Sequence, residues 1–209
     1  MKLTKYEHAC FVIEKDGSSL VVDPGGWSRD FVMPENVTVI VITHEHPDHF
    51  DAEKLRDTIA NNPSAVIYAH ASITEQLPDL PTRNVSVNES IQAASFSLAF
   101  VGGQHATIAP QFPAIANLGV IIDEKLYYPG DSFFVPEDQI HVLALPAAAP
   151  WCKISEVMAF VNAVTPRIAF PTHDAILSTD GKQLIDTLLT PVVAQAGGTY
   201  QRLSEPLEI

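Results

Sequence analysis

The alternation of apolar and polar positions marks out most of the chain's elements. Val37-Thr38-Val39-Ile40-Val41-Ile42 is β-branched throughout and apolar except at Thr38, which predicts a buried strand. Residues 9 to 14 and 19 to 23 flank Lys15-Asp16-Gly17-Ser18, whose Asp-Gly centre predicts a hairpin turn between two antiparallel strands. Residues 51 to 59 read as a short amphipathic helix with Asp51 as its cap, and a strand follows over residues 65 to 69. Residues 70 to 77 predict a second short helix closed off by Pro78 and Pro81. The weak alternation over 91 to 101 predicts one or two strands, and 118 to 122 with 125 to 128 predict another pair turned at Asp123-Glu124.

The last third of the chain continues the mixture. Residues 141 to 145 predict a buried strand stopped at Pro146, and Ile154, Val157, Met158, Val161 and Val164 mark one face of a helix. Residues 167 to 170 predict a strand, and 182 to 190 a final helix that Pro191 ends or kinks. Strands and helices that interleave, with antiparallel hairpins among them, define an α/β layered sandwich. No linker, repeat or low-complexity tract divides it, so residues 1 to 209 are expected to form a single domain.

Composition narrows the function. A hydrophobic content of 46% over 209 residues supports a sizeable core. The formal net charge of -13 argues against nucleic acid as the main partner, which normally meets a basic footprint. The opening residues do not form a signal-peptide pattern, and no segment reaches the apolar length of a membrane span. Cys10 and Cys152 make no disulfide framework and read as buried apolar side chains. A soluble, cytoplasmic protein is the expectation, with no membrane partner; the oligomeric state has no signal in the sequence.

The candidate chemistry sits at the predicted strand ends. Thr43-His44-Glu45-His46-Pro47-Asp48-His49 packs four potential metal ligands into six residues directly after the strand at 37 to 42. His44 and His46, two apart, could share one ion; a tight turn would aim Asp48 and His49 elsewhere, which leaves room for a second, adjacent ion with ligands from further along the chain. Later candidates are His105 after Gly102-Gly103, Asp131 in Pro129-Gly130-Asp131-Ser132, and His173 in Pro171-Thr172-His173-Asp174. Asp23 is a candidate for orienting a ligand histidine, and Trp27 in Pro24-Gly25-Gly26-Trp27 for walling a pocket. His70 and His141 match no such pattern.

The segment from Thr43 to His49 resembles the HxHxDH motif of the metallo-β-lactamase superfamily, and His105, Asp131 and His173 fall in that family's order. His8-Ala9-Cys10-Phe11 and Tyr128-Pro129-Gly130-Asp131-Ser132 further resemble a small branch that includes ascorbate-6-phosphate lactonase-like hydrolases. The resemblance implies an αββα sandwich and two divalent metal ions. One would be held by His44, His46 and His105, the other by Asp48, His49 and His173, with Asp131 bridging. It also implies a metal-bridging hydroxide as nucleophile, Asp48 as the catalytic residue that orients it or takes its proton, and His8 near the substrate. Five imidazoles favour Zn2+, and two carboxylates leave Mn2+ or Fe2+ open. The implied activity is hydrolysis of a small-molecule lactone, ester or phosphoester. Phosphodiester or nucleic-acid cleavage at the same dimetal site is the alternative. A diiron oxidoreductase is disfavoured, because His46 stands where the resembling redox branch places a glutamate. Substrate choice is expected to lie in the loops 24 to 36, 106 to 116 and 146 to 153.

Overall fold

A computed structural model describes residues 1–209. Its strands, numbered in chain order, are β1 (Lys2–Lys5), β2 (Phe11–Lys15), β3 (Ser18–Val22), β4 (Val37–Ile42), β5 (Val66–Ala69), β6 (Thr82–Asn84), β7 (Ser90–Ala93), β8 (Phe96–Gly102), β9 (Leu118–Ile122), β10 (Leu126–Tyr128), β11 (Val142–Pro146), β12 (Ile168–Thr172), β13 (Thr199–Tyr200) and β14 (Leu207–Glu208). The helices are α1 (Ala52–Asn61), α2 (Ala71–Thr74), α3 (Ile154–Val164) and α4 (Thr179–Gln195). The first sheet has the order β14-β1-β2-β3-β4-β5-β6, and the second β13-β12-β11-β10-β9-β8-β7.

Three apolar clusters show how these elements stack. Phe11, Leu20, Val39 and Val41 of the first sheet meet Phe96, Phe100, Val120 and Phe170 of the second, forming the layer between them. Alternate residues of the first sheet, among them Val21, Ile40 and Ile67, face outward onto Leu55 of α1 and Ile73 of α2. Leu143, Leu145 and Ala169 of the second sheet face outward onto Val157 and Val161 of α3 and Leu189 and Val193 of α4. Because strand side chains alternate, each sheet is buried on both faces and needs a helix layer outside it. The result is the αββα sandwich. No helix is long and apolar enough to cross a membrane.

Local expectations meet the structure with some corrections. Asp51 does cap α1, its carboxylate accepting from the Glu53 and Lys54 backbone N–H groups. The helix expected over 70 to 77 is a single turn, α2, capped by the His70 side chain. The last helix does not stop at Pro191: α4 runs through it to Gln195. Burial of Leu189 and Val193 on either side of Pro191 outweighs the backbone bond the proline cannot make. Cys10 is buried, but Cys152 only partly so.

The site is built where strands end. β3 leads to Asp23, β4 to His44, β8 to His105, β10 to Asp131 and β12 to His173. Two backbone bonds hold the sheets together there. The Leu118 N–H donates to the Thr43 carbonyl at 2.9 Å, and the His173 N–H to the His8 carbonyl at 3.1 Å.

Candidate metal centre

The ligand atoms of His44, His46 and His105 lie within 4.8 Å of one another, and so do those of His8, Asp48, His49 and His173. Asp131 stands between the two groups. Its Oδ1 is 3.2 Å from His49 Nε2, and its Oδ2 is 3.0 Å from His173 Nε2 and 3.4 Å from His105 Nε2. All seven residues singled out in the sequence therefore converge, and His8 joins them.

The donor atoms themselves test whether a metal fits. His44 donates from Nδ1 to Thr43 Oγ1, whose own hydrogen goes to Asp23. His49 Nδ1 bonds Asp23 Oδ2 at 2.7 Å, His105 Nδ1 the Ala106 carbonyl, and His173 Nδ1 the Ala148 carbonyl at 2.7 Å. Each acceptor holds a proton on Nδ1, so once the ring is neutral its Nε2 presents a lone pair inward. Those four Nε2 atoms and Asp131 Oδ1 are buried without a hydrogen-bond partner. Buried polar atoms are rarely left so, and five of them facing one another are a set of donors awaiting a cation.

The charges agree with this arrangement. Burial pushes the His44 and His46 imidazoles below their ordinary range, which leaves them neutral and ready to ligate. Burial also acts on His49 and His173, but the Asp131 carboxylate outweighs it. His49 is raised well above its ordinary value and His173 to about 9. Burial opposes ionisation of Asp131 and Asp48 too; the neighbouring histidines overcome it and hold both carboxyls well below the usual carboxylate range. Without a metal, protons on His49 and His173 balance the two carboxylates, and a cation entering the site replaces them.

Several positioning residues complete the centre. Asp23 is fully buried and accepts from Thr43 N–H at 2.8 Å, from Thr43 Oγ1 at 2.6 Å and from His49, so it orients a histidine as anticipated. Gly25 is pressed against the ligand loop: a Cβ there would lie 2.0 Å from the Asp48 carbonyl oxygen, so no other residue fits. Trp151 and Asn117 were not foreseen. The Trp151 indole donates to Asp131 Oδ2 at 2.7 Å, and Asn117 Oδ1 accepts from the Asp131 N–H at 3.0 Å. His8, Asp23 and His173 all have positive φ, a left-handed conformation that His and Asp adopt more readily than most side chains and that seven further non-glycine residues share elsewhere in the chain.

The structure places His8 beside Asp48: it is fully buried, with Nε2 2.9 Å from Asp48 Oδ2. Its ring lies 4.8 Å from that of Trp27, which is 42% exposed and covers it from solvent. Burial lowers the His8 pKa to about 4, so a neutral ring donates to the Asp48 carboxylate. His70 and His141 lie outside the cluster, at the cap of α2 and on the surface.

A two-sheet sandwich with imidazoles and carboxylates gathered at its strand ends is the architecture of the metallo-β-lactamase fold. Residues 2–173 match the sequence model of the β-lactamase superfamily domain. Protein Rv0786c of Mycobacterium tuberculosis is 39% identical to this chain, over 91% of it and 92% of that protein. The UPF0173 metal-dependent hydrolase MJ1163 of Methanocaldococcus jannaschii is 25% identical over 82% of this chain and 83% of its own. Among solved structures, Igni18, a metallo hydrolase from Ignicoccus hospitalis, superposes with a TM-score of 0.75 at 20% identity, covering 100% of this chain and 98% of that one. The chain belongs to the metallo-β-lactamase superfamily.

Proposed function

We propose that the protein, a metal-dependent hydrolase, holds two divalent ions and cleaves a lactone, ester or phosphoester bond in a small molecule. The observation that carries this reading is the set of four buried Nε2 atoms and one carboxylate oxygen, all without partners and facing one another. His44, His46 and His105 would hold one ion, Asp48, His49 and His173 the other, and Asp131 would touch both. An imidazole-rich set of this kind suits zinc. Bound at these positions, divalent ions supply Lewis acidity toward a carbonyl oxygen and lower the pKa of water toward neutrality.

The chain's own residues supply the orientation. Asp48 keeps Oδ2 on His8, which leaves Oδ1 to direct a proton of the attacking water. Held far below its ordinary pKa, Asp48 stays ionised and serves as a fixed acceptor. Asp23, Ala106 and Ala148 fix the ring planes of His49, His105 and His173, so little reorganisation is needed when substrate arrives.

Elemental analysis of the purified protein should find about two transition-metal ions per chain, and a panel of lactones, carboxylic esters and phosphoesters should reveal hydrolysis that chelation abolishes. His46 is only half buried, so His46→Ala should keep the fold, lose metal and lose activity. Metal-free purified protein together with full activity in His46→Ala would overturn the reading. Cleavage of RNA or DNA in preference to every small ester would move the substrate class to nucleic acid.

A further inference from the structure

A cavity of about 170 Å3 opens directly beside His46 and His105. Its far wall comes from one loop, through Ile108, Phe112, Pro113 and Ile115. That loop is tied at its neck. The His105 N–H donates to the Ile115 carbonyl at 3.0 Å, the Gly103 N–H to the Asn117 carbonyl at 2.9 Å, and the Ala106 N–H to the Asp131 carbonyl at 2.8 Å. The apolar wall is thus anchored to the same residue that joins the two ligand groups.

Two features of the wall point to a ligand. Phe112 is 55% exposed and Ile108 36%, so these large apolar side chains are not consumed by packing in the core. No lysine or arginine lines the cavity. Apart from metal ions, a phosphate group there would meet imidazoles, apolar carbon and a single side-chain hydroxyl, that of Thr107, with no side-chain cation to offset its lost hydration. An apolar cavity of about 150 Å3 accommodates benzene, so this one takes a group of about six to eight non-hydrogen atoms.

We infer that this cavity binds the apolar acyl or aryl group of a neutral ester or lactone, and that phosphoesters are disfavoured at the same centre. The inference rests on the proposed hydrolase reading and adds its substrate class. The loop from Ala106 to Ile115 then determines specificity, while the histidines and aspartates carry the chemistry.

The test has a turnover arm and a binding arm, both on the full-length protein. With 4-nitrophenyl acetate, butyrate and hexanoate, kcat/KM should rise about threefold to fourfold per added methylene, and 4-nitrophenyl phosphate should be at least tenfold slower than the hexanoate ester. Phe112→Ser, at an exposed position, should flatten that chain-length dependence while metal content stays as in the parent. Calorimetric titration with benzyl alcohol should show saturable binding that Phe112→Ser weakens at least fivefold, and phenyl phosphate should bind less well than benzyl alcohol. A flat chain-length series, preference for the phosphate, or an undiminished slope in Phe112→Ser would overturn the inference. If no ester is hydrolysed, the proposed reaction fails, and the benzyl alcohol titration still decides whether the cavity takes apolar ligands.

Discussion

On the proposed two-ion reading, replacing Asp23 with asparagine should weaken the binding of one metal ion and spare that of the other. Asp23 accepts three buried hydrogen bonds, at 2.6, 2.7 and 2.8 Å. Bonds to a charged acceptor contribute roughly 1.5–3 kcal/mol each. Asp23→Ala would leave all three donors unpaired at a cost of roughly 4.5–9 kcal/mol, comparable with the whole stability of a domain. Asp23→Asn is the sharper perturbation. Its carbonyl oxygen can still accept the Thr43 N–H, but its amide group replaces the oxygen that faces His49 Nδ1. The amide donates, so His49 must carry its own proton on Nε2, the atom turned toward Asp131. Folding stability should fall by about 1–3 kcal/mol. Affinity for the ion that involves His49 should fall 10–100-fold, about 1.4–2.7 kcal/mol. Competition with a chromophoric chelator resolves the two binding steps, and circular dichroism checks the fold. Two ions bound with parental affinity by folded Asp23→Asn protein would refute the tautomer reasoning.

Other perturbations probe the same centre. Gly25→Ala places a methyl group where only 2.0 Å separates it from the Asp48 carbonyl oxygen, so it should cost about 3 kcal/mol or more; an unchanged chemical-denaturation midpoint would contradict the close packing. Trp151→Phe removes the indole bond to Asp131 Oδ2 and should weaken metal binding about tenfold with little effect on folding, read by the same chelator competition. In metal-free protein the His173 pKa, raised from 6.5 to about 9 by Asp131 despite burial, contributes stability that is complete below about pH 6.5 and lost as pH rises through about 9. The depressed carboxyls of Asp48 and Asp131 contribute stability that is present above about pH 4 and lost on acidification. Thermal melting of the metal-free protein should therefore decline between pH 6.5 and 9, and metal addition in that range should release protons measurable by calorimetry in buffers of different ionisation enthalpy. A melting temperature that rises with pH across this window would count against the charge assignment.

The central strands were readable because burial on both faces leaves a strong pattern. The run from Val37 to Ile42 is β4 without adjustment, and the Asp16-Gly17 turn joins β2 to β3 as expected. Strands β1, β6, β13 and β14 escaped notice. They are two to four residues long, and they form only because an existing sheet offers an edge to pair with. The extent of α4 was hidden for the opposite reason. Pro191 argues locally for termination, whereas Leu189 and Val193 gain their burial from a sheet that the local sequence does not describe. Tertiary context decided both cases, through edge pairing in the first and burial in the second, and it has no short-range signature.

The site divides along similar lines. Its seven candidate ligands were legible because their chemistry resides in residue type, and the segment from His44 to His49 concentrates it in one loop. The groups that aim those ligands were harder to see. Ala106 and Ala148 act through backbone carbonyls, which any residue could supply, so nothing in their identity marks them. Trp151 and Asn117 have distinctive side chains, but their partner Asp131 lies 20 and 14 residues away and is reached only when β10 pairs with β11 on one side and β9 on the other. His8 is the instructive intermediate. The family resemblance set it near the substrate, while its complete burial and its bond to Asp48 commit it to holding a carboxylate. Residue type tells what a group can do; burial tells to what it is committed, and that second fact emerges only when the two sheets close on one another.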